Sequence, residues 1–293
     1  MLSIYRKFMV GTMFAVFLTS PLVSDGAELK GDTLQTWDAY VETANLKMRD
    51  RAHATFLWVD ESPERIHQVR DGEILVAPVS ERTPKPVPSG LIHDWIGAAF
   101  IPHAKLEDVL SAARNYDHYK NFYQPTVADS KALGSEGTCD KYSMRLVNKE
   151  AVETVLDGEY QACYLQLDAK RWYSTAYTTR LQEVRGYGRP DERDLPPGQG
   201  NGFVWRLYTF TRFEERDDGV YVELEAMALS RDIPGAVRWA VTPVVRRISK
   251  NSLLTSLRQM EEAVRSTAAT GNGAKPTTVA ASGDALAIAS RSK

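Results

Sequence analysis

Cysteine is almost missing from this chain: two residues in 293, Cys139 and Cys163. Neither accompanies a histidine in a nucleophile context, and at most one bridge can form. Histidine is scarce too. His53, His67, His93, His103 and His118 have no metal-ligand spacing, so no metal and no cofactor is expected. Net charge is also lacking, with 36 Lys and Arg dispersed among 38 Asp and Glu and a formal charge of −2. No global field favours a polyanion, which argues against nucleic acid as a partner. The glycines of PPGQGNG at 196–202 follow no strand-to-helix turn and read as a loop rather than a phosphate cradle.

The chain has one long apolar run, at its start. Arg6 and Lys7 precede Phe8 to about Val23, and small residues Ser24, Gly26 and Ala27 follow. That order predicts a signal peptide over 1–27 and an exported protein, periplasmic or secreted. Gly11, Thr12, Thr19, Ser20 and Pro21 interrupt the run, whereas a spanning helix needs roughly 20 predominantly apolar residues. An uncleaved N-terminal anchor is the alternative, because Asp25 breaks the small-x-small spacing. Export would let the cysteines oxidise. With a turn centred on Asn148–Ala151, however, the two fall out of register by a few residues, and disulfide geometry is demanding. Two reduced, packed thiols are expected, with a bridge as the alternative.

Leu34, Trp37, Tyr40, Val41 and Ala44 predict a helix from about Thr33, capped by Asp32 or Thr33. Two strand-like runs follow, FLWVD at 56–60 and EILVAPV at 73–79. This unit, 28–79, buries too little apolar surface to stand alone and is expected to pack on the main domain. SERTPKPVPSG, with the linker at 80–89, reads as a stiff extended connection. The main domain spans 90–265. The remainder, 266–293, is poor in large apolar side chains and is expected to be disordered.

Within the main domain, GLIHDWIGAAFI at 90–101 is a strand. Leu106, Val109, Leu110 and Ala113 form a helical stripe, a second short helix runs from about Tyr116 to Tyr123, and Pro125 ends it. Strand-like runs follow at about 125–133, 138–148, 151–167, 171–184, 203–214 and 220–231. Leu253, Leu254, Leu257, Met260 and Val264 then share one face of a closing helix, with Ser249 able to cap it. Burying such side chains contributes about 1.5–3 kcal/mol each, so this helix must dock on something apolar, and the sheet is the available partner.

IGAAFIPHAKLEDVLSAARNYDHYKNFYQPTVADSKAL at 96–133 and LSRDIPGAVRWAVTPVVRRISKNSLLTSLRQMEEAV at 229–264 resemble the START-like (SRPBCC) superfamily. This superfamily includes lipid-transfer domains, pollen-allergen-like proteins and polyketide cyclases. WRLYTFTRFEERDDGVYVELEAMALSRDIP at 205–234 looks most like its uncharacterised exported bacterial members. The resemblance covers about residues 90–265. It implies an α+β helix-grip fold, a curved antiparallel sheet wrapped around a long C-terminal helix, here with an N-terminal helical extension. It departs from the common pattern at Ala104-Lys105, a poor cap for the first short helix.

The implied function is binding or transport of a hydrophobic, lipid-like small molecule in an internal cavity. The alternatives are a cyclase or dehydratase-type enzyme in the same cavity, or a structural module whose cavity has collapsed. Tyr119, Phe122 and Tyr123 are expected between core and pocket mouth. Arg145, Arg206 and Tyr208 are candidates to orient a ligand, and Trp239 to contact it. No catalytic residue is assigned. Alternation places Arg206, Tyr208, Phe210 and Arg212 on one face. A four-residue ERDDG loop would set Arg212 opposite Glu223, as a salt bridge on the solvent face. The segment 234–248, with Arg238, Arg246 and Arg247 opposite valines and Pro243 interrupting it, reads as a helical lid or as a transient membrane contact.

Overall fold

A computed structural model describes residues 27–149 and 153–270. The expected signal peptide, apart from Ala27, and the tail beyond 270 lie outside the described residues. The chain forms α1 (Gly31–Ala52), α2 (Pro63–Arg70), β1 (Leu75–Pro78), β2 (Lys85–Val87) and β3 (Gly90–Pro102). Then come α3 (Leu106–Ala113), α4 (Tyr119–Phe122), β4 (Val127–Glu136), β5 (Cys139–Asn148), β6 (Thr154–Gln166), β7 (Arg171–Arg185), β8 (Arg193–Asp194), β9 (Arg206–Arg216), β10 (Gly219–Arg231) and α5 (Arg238–Thr270). The strands make one antiparallel sheet in the order β1-β3-β10-β9-β7-β6-β5-β4, with β2 on β3 and β8 on β7. The stretch expected as linker thus contributes a strand, and α5 runs past the expected start of the tail.

Three layers result. α3, α4 and α5 cover the concave face, whose core includes Ala99, Ile101, Leu110, Tyr116, Tyr142, Phe213, Val222 and Leu257. The N-terminal unit seals the convex face through Trp37, Met48, Phe56, Leu57 and Val59, against Ile92, Phe100, Phe210, Met227 and Leu229. β3 is buried along nearly its whole length because both of its faces are covered.

The segment 56–60, expected as a strand, turns instead. The backbone N–H groups of Trp58 and Val59 donate to the Glu223 carboxylate at 2.8 and 2.9 Å, so they are not free for a ladder. Val59–Glu61 closes a 3-10 turn, and Ser62 and Pro63 then start α2, Ser62 Oγ accepting from Arg65 N. α1 begins two residues earlier than its sequence signals suggest, with Lys30 rather than Asp32 or Thr33 at the cap. At the poor cap before α3, Glu215 from the β9–β10 turn accepts from Leu106 N at 2.8 Å.

Cys139 and Cys163 form a disulfide, contrary to the expectation of free thiols. The ladder pairs Asn148 with Thr154 and therefore Cys139 with Cys163. The connection spans 149–153, and its centre lies beyond the turn assumed from the sequence, which brings the cysteines into register.

The segment 234–248 does not end in a break. α5 is continuous through Pro243, which lacks the N–H that would bond one turn back.

Candidate ligand-binding groove

The concave floor can be read from the registers. Trp95, Ala226, Thr209, Ala176 and Ala162 are successive partners across β3, β10, β9, β7 and β6. The next row along contains Gly97, Leu224, Thr211 and Ser174. On the other side lie His93, Ala228 and Leu207. Small side chains dominate the middle of this floor. Ala176, Leu207, Thr209, Thr211, Leu224, Ala226 and Ala228 stay partly exposed, whereas Phe210, Met227 and Leu229 on the other face are at 0% exposure. The accessible area is therefore on the concave side.

α5 covers that side unevenly. A Cβ on Gly97 would meet Leu257 Cδ1 at 2.8 Å, so helix and sheet are in van der Waals contact there. Leu253, Leu257, Ala263 and Val264 are buried, whereas no residue of α5 before Leu253 is. The first half of the helix is partly to fully exposed, in contrast to the seated second half. A cleft of about 780 Å³ at this end is lined by Gly235, Arg238, Trp239, Thr242, Pro243 and Arg246.

Under the second half of α5 the space is filled by tyrosines. Tyr116 stacks on Tyr142 at 4.2 Å and Tyr142 on Tyr160 at 5.2 Å, while Tyr119 meets Tyr123 edge-on at 4.8 Å. Tyr119 donates to the Ala113 carbonyl, and Tyr123 Oη lies 3.5 Å from Met260 Sδ. Burial raises the pKa of every one of these hydroxyls, so they stay protonated. Arg114 grips Asp140 through Nε and Nη2 at 2.8 and 2.9 Å, and Tyr116 Oη and Ser135 Oγ donate to the same carboxylate. This network locks the end of α3 to β5.

Of the side chains expected to contact a ligand, Tyr119 and Tyr123 lie on the concave side. Phe122 is half-buried beside His118, and Trp239 is exposed on the first turn of α5. Three assignments are corrected. Arg145 alternates with the inward Met144 and so faces outward, paired with Asp157 at 2.7 Å and Glu192 at 2.9 Å. Tyr208 points to the convex side, where its hydroxyl donates to Asn45 of α1 at 2.8 Å. Arg206 shares that face by alternation and donates to the Trp205 carbonyl. Arg212 does pair opposite Glu223, as the four-residue turn implied. The pair is buried under the N-terminal unit instead of lying in solvent.

The floor residues were missed, although GLIHDWIGAAFI carries a signal: alternation puts His93, Trp95 and Gly97 on one face of an otherwise apolar strand. His93 Nε2 lies 2.8 Å from Ser230 Oγ, whose proton goes to the Arg231 carbonyl at 3.2 Å. Burial pushes the imidazole down to about 4, so it is neutral at physiological pH.

Two short helices between β3 and β4, and a terminal helix laid across the concave face of a curved antiparallel sheet, make up the helix-grip arrangement. The fold is a helix-grip fold. No family model matches the chain, and no curated protein does. Solved structures that align with it include a STAR-related lipid transfer protein fragment from Xanthomonas axonopodis, 19% identical over 63% of this chain and 98% of that one, with a TM-score of 0.37. Human STARD10 aligns at 9% identity over 73% and 86%, with a TM-score of 0.42. The Zhui aromatase/cyclase from Streptomyces aligns at 10% identity over 62% and 99%, with a TM-score of 0.40. None of these likenesses carries a ligand or an activity over to this chain.

Proposed function

We propose that the protein binds and carries a hydrophobic, lipid-like small molecule in the groove between the sheet and the first half of α5. One observation carries this reading: Ala176, Thr209 and Ala226, small residues in register across three strands, remain partly exposed in the middle of the concave face. An apolar chain laid there would remove that area from water at about 25 cal/mol per Å². The sequence of the first 27 residues supports export, and the Cys139–Cys163 bridge suits an oxidising compartment. Trp239 is 81% exposed beside Arg238, and no acidic residue occurs between Asp232 and Glu261 while Arg246, Arg247 and Lys250 do. This basic, apolar-tipped half-helix suits brief contact with an anionic membrane during ligand exchange.

Organic extraction of purified protein followed by mass spectrometry tests the reading, together with titration of a fluorescent fatty acyl probe. A co-purifying lipid or saturable probe binding is expected. Protein that is empty and binds no probe would overturn the proposal. The tyrosine block favours a second reading, a structural module, and that negative result would leave it standing.

A further inference from the structure

We propose that Asp94, Glu223 and Glu225, gathered near the guanidinium of Arg212, form a proton-controlled latch that holds the N-terminal unit on the convex face in mildly acidic medium and lets it lift as the medium turns alkaline. The inference is independent of the carrier reading and concerns the face opposite the groove. Alternation along β3, β9 and β10 turns all four side chains to the convex side, where α1 and the 56–59 segment cover the sheet. Arg212, Glu223 and Asp94 are buried, at 1%, 0% and 3% exposure, and the Glu225 side chain is 12% exposed.

One guanidinium is too little for three carboxylates. Arg212 Nη2 donates to Glu225 Oε2 at 2.6 Å, its Nη1 stands 3.5 Å from Glu223 Oε2, and its Nε is turned to Met48 Sδ of α1 at 3.1 Å. Asp94 is held by a neutral donor instead: Oδ2 accepts from Tyr40 Oη of α1 at 2.6 Å, while Oδ1 is buried with no partner among the described residues. An anionic oxygen left bare in a dry layer costs more than a neutral carboxyl does, so this layer is built to hold a proton. Two of the acids also tie down the unit itself, Asp94 through Tyr40 and Glu223 through the Trp58 and Val59 amides.

Other charges around the cluster do not remove the imbalance. Lys47 of α1 is exposed, Arg51 of α1 is paired with Glu61, and Lys85 of β2 has its Nζ 4.9 Å from the centre of the Tyr40 ring. Burial, followed for Asp94 by the charge of Glu225, outweighs the pull of Lys47 and Arg212 on Asp94 and of Arg212, the two amides and Arg51 on Glu223. Both carboxyls are pushed up to about 7, from 3.8 and 4.5. Burial and Asp94 raise the Tyr40 hydroxyl, which therefore keeps its proton. Lifting the unit returns both acids to water and toward their ordinary values. The closed form thus binds more protons than the open one between about pH 4 and pH 7, and its advantage, complete below that window, is lost as pH rises through 7. Opening would uncover the apolar convex patch of Phe210, Met227 and Leu229.

Amide hydrogen exchange on the whole protein, corrected for the pH dependence of intrinsic exchange, tests the latch. Protection of the α1 amides and of the Val59 amide is expected to fall roughly tenfold per pH unit between pH 5 and pH 6.5, as release of one proton on opening requires, and to level off above about pH 7.5. Amides of the β5–β6 hairpin, outside this layer, should keep theirs. Asp94→Asn with Glu223→Gln retains an acceptor for Tyr40 and for the two backbone amides but cannot ionise, and it should flatten the profile. Protection of α1 that does not change with pH in the unsubstituted protein, an equal fall in the β5–β6 hairpin, or a slope that survives in the double variant would overturn the latch. The first two outcomes do not depend on how the variant folds.

Discussion

Arg212 and Glu223 face each other across the β9–β10 ladder at 1% and 0% side-chain exposure, with Arg212 Nη1 3.5 Å from Glu223 Oε2. Arg212 Nη2 also reaches Glu225 at 2.6 Å, and Glu223 spends both oxygens on the backbone of the N-terminal unit. Removing one member strands the other in a dry layer. Glu223→Ala and Arg212→Ala should each cost about 3–5 kcal/mol, measured as a shift in the urea midpoint. Glu223→Ala should also make the 53–60 segment sensitive to protease. Surface-like behaviour, under about 1 kcal/mol, would contradict the burial.

The disulfide closes a loop of 24 residues in sequence separation. Loop-closure entropy gives it a stabilising effect of about 3–4 kcal/mol. Replacing both cysteines by serine should lower the urea midpoint accordingly and remove its dependence on dithiothreitol. A midpoint that dithiothreitol does not move in the parent protein would contradict the bridge.

Asp94 titrates under the N-terminal helix. Burial first, then the neighbouring Glu225, pushes its carboxyl up from 3.8 to about 7, while the Tyr40 hydroxyl bond and the charges of Lys47 and Arg212 pull it partly back. A folded-state pKa above the unfolded value means that Asp94 stabilises most fully below about pH 4 and that this contribution is lost as pH rises through 7. Asp94→Asn keeps an oxygen for Tyr40 and cannot ionise. Its unfolding free energy relative to the parent protein should therefore rise between pH 5 and pH 8. A difference flat across that range would refute the assignment.

Gly97 sets how closely α5 lies on the sheet, since an added Cβ would meet Leu257 Cδ1 at 2.8 Å and the Leu75 carbonyl at 2.9 Å. Gly97→Ala should cost about 1–3 kcal/mol through overpacking. Leu257→Ala should cost about 2–5 kcal/mol through the cavity it leaves. Thermal unfolding of both variants measures this, and neutrality of both would mean that the helix is not seated there.

Ala226 offers the converse test, because it is a small, partly exposed residue of the concave floor. Ala226→Phe should leave the melting temperature within a few degrees of the parent, yet weaken binding of a lipid probe roughly tenfold or more by occupying the floor. Unchanged probe affinity would place the ligand elsewhere.

Much of this architecture was legible because its signals are local. The stripe of Leu253, Leu257 and Val264 marked the gripping helix, and β-branched runs marked the long strands to within a few residues. What escaped depended on partners distant in sequence. Alternation correctly grouped Arg206, Tyr208 and Arg212, but periodicity says nothing about which side of a sheet the N-terminal helix will cover. FLWVD looks like a strand until Glu223, more than 160 residues later, takes its amides. The cysteine register failed on a connection a few residues longer than assumed.

The N-terminal layer has a practical consequence for anyone wishing to shorten this chain. A fragment starting at Gly90 would retain every element of the grip, yet it would present Phe210, Met227 and Leu229 to water and strip the Glu223 carboxylate of the Trp58 and Val59 amides. Such a fragment is expected to precipitate, so the smallest soluble piece must begin near Gly31.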